Sequence, residues 1–294
     1  MDIGKIRTMM EKNAALNPIA DALRNMGFVH VLHTFQALRE KKKLNGAQSD
    51  FSRFYSEHKA EFQKVYGILE DSFSKKTYRA VIRYRKTFDM RLLNQVVVQP
   101  QYFQKDILPP SEEEIFVDGG AYIGDSSRQF LRKYRTGEKY KIFLWEPDKS
   151  NREQIHKTLK KSKHYEIIPY AMWSETSQLR FSNIGSGTSR VGEEGILVNA
   201  DSIDNQMKGK KVTFIKMDIE GAEIEALKGA ENIIKTQKPK LAICIYHEYS
   251  HLYQIPLMIR EMVPEYKIYI RQHSDTAAET VVYAVASGGP GREI

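Results

Sequence analysis

The 294-residue chain has a single cysteine, Cys244, so it can form no intrachain disulfide and no cysteine-based zinc cluster. That cysteine sits in the apolar run 241–246, where no neighbour would depress a thiol pKa, and it reads as a small core residue. No uninterrupted apolar stretch approaches the ~20 residues that a membrane span needs. The first residues, with Asp2, Lys5 and Arg7 among them, lack the apolar run of a secretory signal, so a cytoplasmic protein is expected. Repeats of fixed period and low-complexity blocks are also missing. A hydrophobic fraction of 41% is enough to build a sizeable core, which excludes a disordered chain.

Charge of one sign is scarce everywhere except at the start. Residues 1–100 carry 18 Lys/Arg against 10 Asp/Glu and hold the entire net charge of +8; the remaining residues carry 27 of each sign. A neutral body of that size does not resemble a nucleic-acid surface, and no nucleic-acid partner is expected.

The N-terminal third has helical spacing. Ile19, Leu23 and Met26, then Val31, Leu32, Phe35 and Leu38, then Phe62, Val65, Tyr66 and Leu69 recur at three- and four-residue intervals. Within 75–86, Lys75, Arg79, Arg83 and Lys86 share one helical face, and Tyr78, Val81 and Ile82 share the other. Such a helix either lays a solvated face over a packed one or docks a phosphorylated or anionic substrate. The N-terminal helices would cover the acceptor side of a cleft or form a homodimer surface.

After Pro100, Pro109 and Pro110 the pattern changes to short apolar runs alternating with helices. Strands are expected at 115–117, 140–145, 166–168, 212–217, 241–246, 266–270 and 281–285. Helices are expected at 126–134, 148–159 (with Asp148 as its cap), 222–234 and 251–263. This alternation predicts an α/β fold with a mostly parallel, doubly wound sheet. No helix separates the last two strands, so they should pair as an antiparallel C-terminal hairpin. The expected organisation is an N-terminal helical segment over 1–100, a cofactor-binding domain over 101–286 and a frayed tail over 287–294.

The chemistry is concentrated at strand ends. The first strand runs into Asp118-Gly119-Gly120-Ala121-Tyr122-Ile123-Gly124-Asp125 and then a helix. In a doubly wound sheet, ligands bind outside the carboxyl ends of the strands, and glycines there let the backbone approach closely. The turn therefore offers Asp118, Gly119, Gly120, Ala121 and Gly124 to a nucleotide cofactor. Asp118 and Asp125 would repel a dinucleotide's pyrophosphate, whereas they would attract the sulfonium and α-ammonium groups of S-adenosylmethionine. Glu146, at the end of the second strand, can accept hydrogen bonds from both ribose hydroxyls.

These stretches, together with Tyr170-Ala171-Met172-Trp173-Ser174 and Lys216-Met217-Asp218-Ile219-Glu220-Gly221-Ala222-Glu223, resemble the FkbM-type methyltransferase family over about 115–286. The resemblance implies a Rossmann-like methyltransferase fold with S-adenosylmethionine as cofactor. It further implies that Asp118, Gly120 and Gly124 contact the methionine end, Glu146 the ribose, and Ala171 and Met172 the adenine edge. Gly119 departs from the non-glycine residue common at its position. The implied reaction is O-methylation of a sugar, glycoconjugate or natural-product hydroxyl, so the partner is a small-molecule or glycan acceptor.

The fourth and fifth strands end in Asp218-Ile219-Glu220 and Tyr246-His247-Glu248. An alcohol acceptor must lose its proton as the methyl group arrives. His247 is the leading base because the unperturbed pKa of histidine lies near neutrality, and Asp218 is the second candidate. Glu223 reads as a first-turn helix residue. Asp218, Glu220 and His247 could together hold Mg²⁺, but the sequence fixes no geometry and no metal is expected. Residues 183–190, small and polar, form either a lid over the acceptor or a solvated connection. Two other classes compete: an NAD-dependent oxidoreductase on a similar sheet, and a non-catalytic protein binding anionic ligands or nucleic acid through the basic helix.

Overall fold

The computed structural model describes residues 46–135, 137–182, 190–191 and 195–286. The expected helices before residue 46, the loop over 183–189 and the terminal tail lie outside the described residues. The chain divides into two compact units, residues 1–53 and 54–294. Of the first, residues 46–53 are helical.

The second unit opens with helices α1 (Lys59–Ile68), α2 (Ser72–Thr87) and α3 (Met90–Asn94). Helix α2 starts where the Asp71 carboxylate accepts the Ser74 N–H and stops at Phe88, whose φ of 52° turns the chain out of the helix. Tyr78 and Val81 pack inward while Arg79 and Arg83 face solvent, as the spacing predicts. Arg85, outside the basic stripe, is buried and donates to the Tyr246 and Ala277 carbonyls at 3.0 and 3.1 Å.

Seven strands form the main sheet: β1 (Glu113–Gly119), β2 (Lys139–Trp145), β3 (Tyr165–Ile168), β8 (Phe214–Met217), β9 (Lys240–Cys244), β10 (Tyr266–Gln272) and β11 (Thr280–Ala286). Their order is β10-β11-β9-β8-β1-β2-β3. All neighbours from β9 to β3 are parallel; β11 slots between β9 and β10 and is antiparallel to both. The expected doubly wound sheet and C-terminal hairpin are both present. Strands β8 and β9 are buried at every residue, as central strands covered on both faces must be. Phe116, Phe130 and Phe214 pack beside the sheet, with Phe116 and Phe130 stacked at 4.9 Å. Burial of such side chains contributes roughly 1.5–3 kcal/mol apiece.

Helix α4 (Asp125–Gln129) continues into a π-helical turn over Phe130–Tyr134, and α5 (Lys149–Thr158) begins at Asp148, whose carboxylate accepts the Asn151 N–H at 2.8 Å. Two features depart from the sequence reading. Between β3 and β8 lies a second sheet of β4 (Ala171–Met172), β5 (Ser177–Ser182), β6 (Arg190–Val191) and β7 (Ile196–Asp201), in the order β4-β7-β5-β6. After the short α6 (Ile203–Gln206), the helix expected over 222–234 is two: α7 (Glu223–Lys228) and α8 (Glu231–Gln237). The break is at Gly229, where a Cβ would lie 2.1 Å from the Trp173 carbonyl oxygen; Asp204 then supplies the cap for α8, accepting from Asn232 and Ile233 at 2.9 and 2.8 Å. The last helix is α9 (His251–Met262). Among the described residues no helix is long and apolar enough to cross a membrane.

Candidate active site

The sheet order reverses at β1, which has β2 on one side and β8 on the other. A cavity of about 290 Å³ opens at this reversal, where doubly wound sheets bind ligands. The turn after β1 reaches it through Gly120, with φ of +67°, where a Cβ would meet the Asp218 carbonyl oxygen at 1.9 Å. Only a glycine lets the two strand tips approach so closely. Backbone strain gathers here. Six described non-glycine residues have positive φ, and four of them, Tyr102, Tyr122, Glu220 and Glu279, line the cavity.

Of the residues singled out from sequence, Gly120, Glu146, Ala171, Met172 and Asp218 line the cavity; Asp118, Gly119, Ala121, Gly124 and His247 do not. Asp118 is wholly buried: its Oδ2 accepts from the Ser126 and Ser127 hydroxyls at 2.6 Å, and its Oδ1 stands 3.2 Å from Lys216 Nζ. Lys216, also buried, donates to the carbonyls of Gly119 and Gly120 at 2.9 and 3.0 Å. Burial opposes its charge, but Asp118 and then Asp218 outweigh that and raise its pKa. Asp118 and Lys216 thus hold the glycine turn from beneath. Sequence reasoning missed Lys216; a lysine within the otherwise apolar strand Phe214–Met217 is the signal that could have found it, because a buried ammonium requires a partner.

Glu146 is 6% exposed. Its Oε2 accepts the Tyr122 N–H and its Oε1 the Asp148 N–H, each at 2.9 Å. Burial nevertheless raises its pKa to about 7, with the hydrogen bonds opposing only in part. The carboxylate is thereby fixed in orientation, with lone pairs left for a ligand's hydroxyls.

Opposite it, Asp218 accepts from Tyr102 Oη at 2.8 Å (Oδ2) and from Tyr246 Oη at 2.9 Å (Oδ1). Tyr102 comes from the loop before β1, which sequence reasoning passed over. A chain of bonds holds it: His273 Nδ1 donates to the Val98 carbonyl, so Nε2 accepts from Tyr283 Oη at 2.7 Å, and that oxygen accepts the Tyr102 N–H at 2.9 Å. His273 and Tyr283 therefore act as supports. His247 lies behind Asp218, its side chain 2% exposed, with Nε2 3.5 Å from Asp218 Oδ1 and 3.6 Å from Glu220 Oε2. Its Nδ1 faces Glu223 Oε1 at 2.9 Å, and Glu223 Oε2 lies 3.3 Å from His251 Nδ1. Burial works against charge on both, but the pairing prevails: Glu223 is held down at about 2 and the His247 pKa is raised. Glu223 stands in the first turn of α7, as expected, and is also the buried partner of two histidines.

Residues 118–274 match the model of the methyltransferase FkbM domain. The chain belongs to the FkbM methyltransferase family. Among solved structures it is similar to methyltransferase FkbM from Methylobacillus flagellatus KT, with a TM-score of 0.68 and 28% identity, over 80% of this chain and 60% of that one. The chain thus spans less than two thirds of that relative's length. A putative rRNA-methylase from Clostridium thermocellum is more remote, with a TM-score of 0.42 and 12% identity over 65% of this chain and 97% of that one. So is Aeropyrum pernix fibrillarin, solved with natively bound S-adenosyl-L-methionine, with a TM-score of 0.40 and 9% identity over 60% of this chain and 67% of that one. No curated protein shows significant similarity to the chain.

Proposed function

We propose that the chain is an S-adenosylmethionine-dependent methyltransferase that methylates a hydroxyl group on a sugar, glycoconjugate or natural-product acceptor. The supporting observation is the charge of the cavity wall. Among the described residues six carboxylates line it (Asp125, Glu146, Asp148, Asp218, Glu220 and Glu279), against one lysine, Lys216, already engaged with Asp118 and two carbonyls. Such a wall attracts a sulfonium and an α-ammonium and repels a diphosphate, which disfavours an NAD-dependent oxidoreductase. It also favours an uncharged acceptor over a phosphorylated one.

In this reading Glu146 receives the ribose hydroxyls, and Ala171 and Met172 flank the adenine. Gly120 gives the methionine end room, with Asp118, Gly119, Ala121 and Gly124 shaping the turn from outside the cavity. The acceptor enters beside Asp218. S-adenosylmethionine held here would supply an electrophilic methyl group to the acceptor oxygen and would leave as S-adenosylhomocysteine, its sulfur keeping the electron pair. Alignment of the acceptor with the C–S bond does most of the work. Asp218, backed by His247, lies where the acceptor's proton must depart.

Titration calorimetry with S-adenosylhomocysteine, with NADH as the comparator, tests the reading. Saturable binding of the former alone is expected. A folded chain that binds NADH and ignores S-adenosylhomocysteine would overturn it. Transfer of a labelled methyl group to a panel of hydroxylated glycans then tests the acceptor class.

A further inference from the structure

Behind the acceptor end of the cavity lies a group of buried ligand atoms without a well-aligned hydrogen bond, both ring nitrogens of His247, Nδ1 of His251 and Oε2 of Glu223, although Glu223 faces the two imidazoles at 2.9 and 3.3 Å. The side chains of His247, His251 and Glu223 are 2%, 4% and 0% exposed. Buried nitrogens and carboxylate oxygens are normally satisfied, and four such atoms in one cluster call for an explanation. One ligand atom from each of Asp218, Glu223 and His247 lies within 4.8 Å of the others. Two ligands each about 2.1 Å from one ion can be at most about 4.2 Å apart, so the side chains must draw together, with the His247 ring turning so that one nitrogen faces both Asp218 and Glu223 instead of bridging them. Asp218 faces the cavity and the two histidine-bearing segments close the back, which leaves an ion's free position towards the acceptor.

The geometry points to a divalent transition-metal site formed by Asp218, Glu223 and His247, with a free coordination position for the acceptor oxygen. One imidazole with two carboxylates suits Mn²⁺, Fe²⁺ or Zn²⁺; a hard ion such as Ca²⁺ would take oxygen ligands alone. His251 and Glu220 flank the ligands, where the partners of coordinating groups normally stand. The placement of the acceptor rests on the methyltransferase reading; the ion site itself does not. An ion here would acidify a bound hydroxyl, so that Asp218 and His247 act on the acceptor's proton through the metal and not as a free base.

Mn²⁺ is the probe, titrated into the chelator-treated full chain and followed by electron paramagnetic resonance. Uptake of one ion per chain is expected, with a ¹⁴N coupling from imidazole in the pulsed spectrum. Binding should weaken at least tenfold in His247→Ala and Asp218→Asn and should be unchanged in Glu225→Gln, whose carboxylate pairs with Lys228 on the outer face of α7. No uptake of Mn²⁺ or Zn²⁺ by the folded wild-type chain overturns the site, as does uptake with no ¹⁴N coupling; the cluster is then an imidazolium held among carboxylates. S-adenosylhomocysteine binding is measured on the same sample. Cofactor bound without metal removes only the ion site; metal bound without cofactor leaves the ion site standing and removes the methyltransferase reading.

Discussion

Lys216 Nζ stands 3.2 Å from Asp118 Oδ1, with both side chains almost sealed from solvent at 3% and 0% exposure. The ammonium also bonds the two carbonyls at the start of the glycine turn, so one buried ion pair determines the floor of the cavity. Replacing Lys216 by Met leaves the Asp118 charge buried with only two serine hydroxyls. The expected loss is about 3–5 kcal/mol of folding stability, read from the denaturant midpoint. Adding Asp118→Asn to Lys216→Met should restore part of it, because the uncompensated charge is gone. A double variant as unstable as the single one would show that the pair holds the turn by geometry alone.

Gly120 and Gly209, two of the glycines with positive φ, should respond differently to alanine. At Gly209, with φ of +73°, a Cβ meets nothing within 4 Å, so only the backbone penalty of roughly 1–2 kcal/mol applies. At Gly120 the same penalty is joined by the overlap with the Asp218 carbonyl oxygen, and the strand tips must separate. Gly120→Ala is expected to abolish cofactor binding or folding, and Gly209→Ala to leave affinity unchanged, by calorimetry and thermal unfolding.

Glu146 makes the cavity sensitive to pH near neutrality. Its folded pKa of about 7 lies above the ordinary 4.5, so the apo fold binds this proton more tightly than the unfolded chain. The associated stability is fully present below pH 4.5 and is lost as pH rises through about 7. Ribose hydroxyls donate to the ionised form, so cofactor affinity should move in the opposite direction and strengthen between pH 6 and 8. Glu146→Gln should flatten both trends, and Glu146→Ala should weaken binding by about 1–3 kcal/mol. A cofactor affinity that does not change with pH would remove the carboxylate from ribose recognition.

Tyr102 and Tyr246 place Asp218 from opposite sides. Loss of either hydroxyl removes one hydrogen bond to a charged group, worth about 1.5–3 kcal/mol. Tyr102→Phe and Tyr246→Phe should each lower kcat about tenfold or more, with the dissociation constant of S-adenosylhomocysteine unaltered. Equal losses in kcat and cofactor affinity would instead mean that the tyrosines hold the cavity as a whole.

Elements with one dominant pattern were legible in the sequence. Buried central strands such as 214–217 and 241–244 read as apolar runs, and the acids at their ends marked the site. The second sheet was not legible, since β4 and β6 have two residues each and are defined by pairing partners distant in the chain. The break falls at Gly229, a local helix-stop signal that the reading passed over, and what makes a glycine necessary there is Trp173, more than fifty residues earlier. Asp118 shows the limit of electrostatic reading: its charge was expected to face the ligand, but the structure turns it under the turn against Lys216. Tyr102 lies in a proline-bounded loop that has no periodicity, and only the folded chain brings it to Asp218.

Tyr102, Tyr122, Glu220 and Glu279 hold left-handed backbone around one cavity, and that arrangement sets durability against chemistry. Each would relax if the surrounding framework let go, swinging its side chain off the wall. Glycine at any of them would ease the chain while stripping the cavity of a functional group. A search for heat-resistant variants would therefore be drawn to these four positions, and would strip the cavity of its working groups before it weakened the fold.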